Sequence, residues 1–501
     1  MAMAVKRGII VGIGLIIQIL LSLSVLLFLG KYIAIIELFY AILSILLVLA
    51  IVKESKSLSS DLPWIIIIML FPIVGALLYV VIGGNLHRSK ILKKINKQIE
   101  YSKKYLIQDK EILKEINKFD YDKLKYITNY AGFPVTKNND LTYYHLGELA
   151  YKDMLEELKK AKNFIFMEYF IINNGVMWQG ILDILEEKAK EGLDVRVIYD
   201  DMGCISMLPS NYPKFLETKG IKCIAFNELK PFLGVIMNNR DHRKMMIIDG
   251  HTVFSGGINI SDEYINVTHP HGHWRDNGIR IKGEAVWNFT VMFLSMWNSY
   301  RNDDKNYNKF KYEFKGQYKE NGYVAPYGES PLDDEIVGEN VYLNIINQAK
   351  KYVYIFTPYL IIDTDMINAL TLAAKRGVDV RIVIPGVPDK KIVYDLTSSY
   401  FKPLIKYGVK IYKYTKGFVH SKVFVSDDNI STVGTINMDY RSLYLHFECG
   451  IFMQDVDIII DVKKDLEDAI ADSHLVTKKE ATPSFFKSIW QAVLRLFAPL
   501  M

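Results

Sequence analysis

One pattern, present twice, restricts what this chain can fold into more than any other feature. Residues 242–259 read HRKMMIIDGHTVFSGGIN and residues 420–437 read HSKVFVSDDNISTVGTIN. Both copies run His-x-Lys, four residues, Asp, six residues, Gly-x-x-Asn. From the frequencies of His, Lys and Asp, the first part alone is expected at about one start in ten thousand. Two copies at corresponding places in a repeat are not chance. AKNFIFMEYFII (161–172) is echoed by AKKYVYIFTPYLII (349–362), and EGLDVRVIYDD (191–201) by RGVDVRIVIPG (376–386). Short apolar runs alternating with helical stretches predict parallel strands joined by crossover helices. The expected fold class is α/β, with two similar domains at residues 130–315 and 325–475 and a lysine- and asparagine-rich link at 302–321.

Residues i and i+2 share one face of a strand, so His242 points with Lys244 and His420 with Lys422. Asp249-Gly250 and Asp427-Asp428-Asn429 have hairpin-turn composition, which brings Asn259 and Asn437 back alongside their His and Lys. Lysine and asparagine offer donors to phosphate oxygens, and histidine can act as nucleophile or proton donor. Two such sets facing one phosphodiester supply one histidine to attack and one to protonate the leaving oxygen. The plainer reading, strand residues paired with neighbouring acids, suits one copy but not two.

Half of the residues are apolar and the net charge is only +5, which excludes a disordered chain and argues against a nucleic-acid binder. The excess hydrophobicity lies at 8–29, 33–52 and 62–84. Each run is long enough to span a bilayer, so 1–84 is expected to be a transmembrane region. The first run is too long for a signal-peptide core and has no small-residue cleavage site after it. Residues 85–104 carry seven Lys or Arg against Glu100, so 85–129 reads as a basic juxtamembrane linker with everything after it cytoplasmic. Three spans would leave Lys6 and Arg7 outside. Cys204, Cys223 and Cys449 read as buried thiols in a reducing compartment.

The duplicated His-x-Lys-x4-Asp motif resembles the signature of the phospholipase D superfamily. Within it, the chain is similar to the bacterial cardiolipin synthases through DHRKMMIIDG, GGINISDEY (256–264), HWRD (273–276), SSYF (398–401), YTKGFVHSK (414–422), GTINMDYRS (434–442) and FPIVGALLYVVIGG (71–84). The resemblance implies two lobes around one shared active site, a phosphohistidine intermediate, and no metal or other cofactor. It implies catalytic sets His242, Lys244, Asp249 and His420, Lys422, Asp427, with His242 as nucleophile. Asp276 and Glu448 match the acids that orient the histidines, each downstream of its own motif. The implied reaction moves a phosphatidyl group between two phosphatidylglycerols in the bacterial inner membrane, giving cardiolipin and glycerol. Attack by water would make a hydrolase instead; a nuclease leaves the apolar runs unexplained, and an inactive scaffold would not need two complete motifs. Gly257 stands where many superfamily members have serine. HPHGHW adds His269, His271 and His273 at alternate positions, without a Cys or acid at ligand spacing, and reads as a polar loop.

The tail 483–501 has helical periodicity from Pro483. Lys487, Gln491 and Arg495 fall on one face; Phe486, Ile489, Trp490, Val493 and Phe497 fall on the other, widened by Phe485, Leu494 and Leu496. It reads as an amphipathic helix for the membrane interface, against the alternative that its apolar face packs on the second domain.

Overall fold

The computed structural model describes residues 33–54, 58–79, 90–118, 121–228, 239–314 and 322–500, with Leu20, Gly316 and Tyr318. The chain divides into two units, 1–89 with 230–237 and 496–501, and 90–229 with 238–495.

In the first unit, the run 33–52 lies in a 22-residue helix, Ile33–Glu54. Two helices, Leu58–Leu70 and Pro72–Leu78, cover the run 62–84 up to Leu78, and residues 80–84 lie outside the described residues. The break falls at Phe71 because Pro72 lacks an N–H and disfavours helical backbone in the residue before it. Gly75 permits the tight fold-back, since a Cβ there would lie 2.6 Å from the Ile67 carbonyl oxygen. Ile51, Trp64, Ile68 and Tyr79 form a small core. The run 8–29 lies outside the described residues apart from Leu20. Among the described residues no helix is long and apolar enough to cross a membrane, so three spans remain an expectation of the sequence.

The larger unit holds two lobes. The first contributes β1 (Asn139–Tyr144), β2 (Phe164–Tyr169), β3 (Asp194–Asp200), β4 (Lys222–Phe226), β5 (Lys244–Ile248), β6 (Thr252–Gly256), β7 (His273–Arg275) and β8 (Gly278–Gly283). The second contributes β9 (Tyr323–Glu329), β10 (Tyr352–Phe356), β11 (Leu360–Ile361), β12 (Asp379–Pro385), β13 (Lys410–Tyr414), β14 (Gly417–Val419), β15 (Val423–Ser426), β16 (Ile430–Gly434), β17 (Met438–Asp439), β18 (Glu448–Gln454) and β19 (Ser473–Leu475). The sheet orders are β1-β8-β6-β5-β2-β3-β4 and β9-β18-β16-β15-β10-β12-β13-β19. They match strand for strand, with β19 as an added edge, so the sequence repeat is a repeat of fold. β2, β3 and β4 are parallel, as are β10, β12 and β13; the motif hairpins β5–β6 and β15–β16 are antiparallel.

The stretch expected as a juxtamembrane linker is instead built into this unit from Lys90 onward. Helix Lys90–Ser102 packs on the almost wholly buried helix Val286–Tyr300, because Leu92 and Ile95 recur on one face. Ile116, Leu124 and Ile127 are also buried, and Trp287 Nε1 donates to the Tyr105 carbonyl at 2.8 Å. The link at 302–321 is anchored as well, by the buried Arg196–Asp304 pair at 2.5 Å.

Asp249 and Asp427 play matching parts. The Asp249 carboxylate accepts the backbone N–H groups of Lys162, Asn163 and Phe164 at 2.7–2.9 Å. Asp427 accepts those of Lys350, Lys351 and Tyr352 at 2.7–3.0 Å. Each therefore ties the hairpin turn to the start of the neighbouring strand. Both take positive φ (52° and 53°), followed by Gly250 at 71° and Asp428 at 62°, the left-handed pair of a tight hairpin turn. Asp249→Ala and Asp427→Ala should each lower unfolding stability by about 1–3 kcal/mol, because three N–H groups lose their acceptor and alanine must take positive φ. Denaturant unfolding unchanged in both variants would contradict this role.

Candidate active site

His242 and Lys244 lie at the start of β5, and His420 and Lys422 just before β15, so each pair sits at the same end of its sheet. Two short strand pairings join the lobes there. β7 of the first lobe runs parallel to β14 of the second, aligning Arg275 with Val419. Asp241 and Phe447 form the matching parallel bridge. The His420 N–H thus donates to the Arg275 carbonyl at 2.8 Å, and the His242 N–H to the Phe447 carbonyl at 2.9 Å.

In both cases the residue after the bridge is an acid, and it meets the histidine of the other lobe. His242 Nδ1 lies 2.8 and 2.9 Å from the Glu448 carboxylate oxygens, and His420 Nδ1 lies 2.7 Å from Asp276 Oδ2. The acids pair crosswise, which corrects the expected assignment of each to its own motif. The cause is the parallel register, which brings the end of one lobe's strand beside the start of the other lobe's motif. With an acid at Nδ1, each neutral ring keeps its lone pair on Nε2.

The position after the shared glycine, Gly257 or Thr435, also differs between copies. A Cβ on Gly257 would lie 2.0 Å from Asp276 Oδ1, so only glycine fits. Its counterpart Thr435 has room because Glu448 is one methylene longer, and its hydroxyl donates to Glu448 Oε2 at 2.5 Å.

All four motif side chains are buried, and burial sets their charge. Burial, then Lys244, holds the His242 imidazole well below its usual range, and His446, Lys422 and His420 add to the effect. Burial and Lys422 push His420 down to about 4, while Asp276 opposes them. Burial lowers Lys244 to about 8 and Lys422 to about 7. Lys244 Nζ donates to the His242 carbonyl at 2.7 Å, and Lys422 Nζ lies 2.8 Å from His420 Nδ1. Phe170 meets the His242 ring edge-on at 4.9 Å, and Tyr264 meets His420 at 5.3 Å.

Two residues expected at the site are placed otherwise, and the two asparagines bind its immediate surroundings. Asp249 and Asp427 lie at the far end of their strands, about 16 Å along β5 in the first copy, and hold backbone rather than histidine. Asn259 is spent on the scaffold: its oxygen accepts the Ile171 N–H at 3.1 Å and its amide donates to the Tyr264 hydroxyl at 2.7 Å. Asn437 is buried beside Asp439, to which its side chain is hydrogen-bonded. His273 opens β7 with Nδ1 3.3 Å from the Tyr414 hydroxyl, and His269, His271 and His273 form no metal-sized group among the described residues.

His446 was not anticipated. Its ring lies 5.6 Å from that of His242, and both of its nitrogens are buried without a hydrogen-bond partner. The available signal was positional, since His446 occupies the place in its copy that Trp274 holds in the other. His242, His446 and Glu448 bring three ligand atoms within 4.8 Å of one another. A cation there would face Lys244 and break the His242–Glu448 bond, and the anion-binding groups beside it are the lysines. The three cysteines are free and buried, with Cys204 pushed up to about 12 and Cys449 to about 11 by burial.

Two His-x-Lys hairpins closing on one buried, cation-rich site define a two-lobed phospholipase D-type protein. The chain matches the family described as "Cardiolipin synthase, PLD-like domain" over residues 154–297 and 342–470, and "Phospholipase_D-nuclease N-terminal" over 42–84. It is 44% identical to an uncharacterized protein of Streptococcus mutans serotype c, over 91% of this chain and 99% of that one. It is 34% identical to cardiolipin synthase 1 of Staphylococcus aureus (strain COL), over 90% of this chain and 93% of that one. The crystal structure of phosphatidylserine synthase from Haemophilus influenzae Rd KW20 shares the fold, with a TM-score of 0.55 and 16% identity over 76% of this chain and 98% of its own. This chain belongs to the cardiolipin synthase family of the phospholipase D superfamily.

With Lys422 at about 7 and Lys244 at about 8, an empty site at pH 8 is short of positive charge. A bound phosphodiester anion restores both ammonium groups. Binding of a non-hydrolysable phosphonate lipid at pH 8 should therefore take up on the order of one proton. Calorimetry in buffers of different ionisation enthalpy reads this directly, and affinity should weaken as pH rises from 7 to 9. Proton-neutral binding with flat affinity would contradict the assignment.

Proposed function

We propose that this protein is a phosphatidyltransferase that makes cardiolipin from two molecules of phosphatidylglycerol and releases glycerol. The observation that carries the reading is the crossed pairing of two histidines with two acids beside two lysines in one buried site, together with relatives named cardiolipin synthase over nine-tenths of the chain.

In the first half-reaction His242 Nε2 attacks phosphorus, forming the N–P bond as the bond to the glycerol oxygen breaks. His420 gives its proton to that oxygen. In the second, His420 takes the proton of a glycerol hydroxyl on the second phosphatidylglycerol, whose oxygen attacks phosphorus and frees His242. Lys244 and Lys422 hold the non-bridging oxygens as charge develops. The assignment of roles follows the surroundings. Asp276 raises the affinity of His420 for a proton, and the substrate anion raises it further, whereas burial and Lys244 hold the His242 ring neutral. Asp249 and Asp427 act through the hairpin turns. Asn259 acts through Tyr264, and Asn437 through Asp439.

The reading includes the membrane. In the sequence, 8–29, 33–52 and 62–84 are apolar runs of spanning length, and the basic residues that follow them favour a cytoplasmic face for the catalytic lobes.

His242→Ala and His420→Ala should each reduce conversion of labelled phosphatidylglycerol by at least 10²–10⁴-fold, about what a positioned acid or base contributes. Lipid analysis should show cardiolipin and glycerol from the unaltered protein. Phosphatidic acid alone would make it a hydrolase, and no turnover would favour a scaffold. Activity should survive EDTA, because the lysines already supply the positive field; loss restored by one divalent ion would overturn the metal-free chemistry.

A further inference from the structure

The C-terminal helix Phe485–Leu496 is seated the wrong way round for a core helix. Its polar stripe faces the second lobe and its apolar stripe faces out. Gln491 is buried, and its amide donates to the Ser398 hydroxyl at 2.9 Å and to the Asp395 carbonyl at 3.2 Å. Lys487 Nζ lies 3.6 Å from the Asp395 carboxylate, and the Arg495 guanidinium stacks over the Tyr400 ring at 4.3 Å. Leu494 alone of the apolar set is turned inward and buried. Phe485, Phe486, Ile489, Trp490 and Val493 are left 74%, 82%, 50%, 45% and 43% exposed.

An amphipathic helix ordinarily buries its apolar stripe and wets its polar one. Here four specific contacts hold it in the opposite sense, so the exposed stripe is fixed in direction rather than loose. Contiguous apolar surface of this kind marks an interaction site. The chemistry around it selects the partner. It rests on helix Lys391–Ser399 and the following Tyr400; Lys390, Lys391, and Lys402 and Lys406 of the next helix, Phe401–Lys406, are exposed, while Asp395 is already engaged and Asp389 accepts from the Tyr359 hydroxyl at 2.6 Å. A phenylalanine- and tryptophan-bearing stripe on a surface whose neighbouring segments carry exposed lysines is complementary to a bilayer of anionic phospholipid, whose acyl boundary takes the aromatics and whose phosphates meet the cations.

We propose that the helix Phe485–Leu496 is a membrane-interface foot of the second lobe, which inserts its aromatic stripe into an anionic leaflet and sets the tilt at which the active site meets its lipids. The proposal extends the lipid-substrate reading, but its primary test does not use turnover. In the full chain, Trp490→Cys is labelled with an environment-sensitive fluorophore; the native cysteines are buried and do not compete. After reconstitution into vesicles of phosphatidylglycerol and phosphatidylcholine, acyl-chain quenchers should quench this label and should leave a Glu467→Cys label unquenched. Quenching should be weaker in phosphatidylcholine alone. The exposed-face variant Phe485→Ser/Phe486→Ser/Trp490→Ser should keep its melting temperature and its activity on detergent-dispersed lipid, and lose activity several-fold on bilayers. A label that stays open to iodide and untouched by lipid quenchers would overturn the proposal. So would shielding that appears only as protein concentration rises, the mark of a second copy, or equal loss in both assays with a lower melting temperature. If the chain proved not to make cardiolipin, the quenching result would still decide the foot.

Discussion

The crossed carboxylate–imidazole pairs, Glu448 with His242 and Asp276 with His420, are the interaction on which the rest of the site depends. Each lobe carries a histidine it cannot orient alone and an acid that serves its neighbour. The pairing is enforced by backbone, because parallel bridges at Arg275–Val419 and Asp241–Phe447 fix the register in which each acid meets the opposite ring. Duplicated domains that merely touched would hold two half-sites. Exchanging these strand ends makes them one site.

The same burial that orders these pairs removes charge from the empty site. Two lysines and two imidazoles share a small desolvated space, and each is pushed toward its neutral form. A phosphodiester anion is the partner that reverses this at least cost, since one negative group can satisfy both ammonium groups. The site is therefore tuned for an anion, and the donor triad around His446 does not alter that. The difference between Gly257 and Thr435 shows how two near-identical halves were fitted to acids of different length.

Local chemistry was readable in the sequence, and non-local pairing was not. The period of two placed His242 with Lys244, and the Asp-Gly and Asp-Asp turns placed the hairpins. The parallel strands followed from the short apolar runs. Asp249 and Asp427 looked like site residues because the motif contains them, yet a full strand separates them from the histidines. The crossing of Asp276 and Glu448 could not be read from one motif at a time, because it depends on contact between lobes more than a hundred residues apart. Residues 90–129 looked like a linker because their lysines dominate the composition; the few apolar positions that pack them, Leu92, Ile95, Ile116, Leu124 and Ile127, are sparse. In the tail, periodicity defined the two faces but not which one the protein would keep.

The central claim is that Glu448 serves the attacking histidine and Asp276 the proton-donating one. A phosphatidyl donor with a p-nitrophenol leaving group needs no protonation of that group, so it isolates attack from acid catalysis. Asp276→Asn should release a burst of nitrophenolate and accumulate a phosphatidyl adduct on His242, detected by mass spectrometry after acid-free quenching. Glu448→Gln should give neither. The reverse result, a burst and adduct in Glu448→Gln and none in Asp276→Asn, would contradict the crossed assignment.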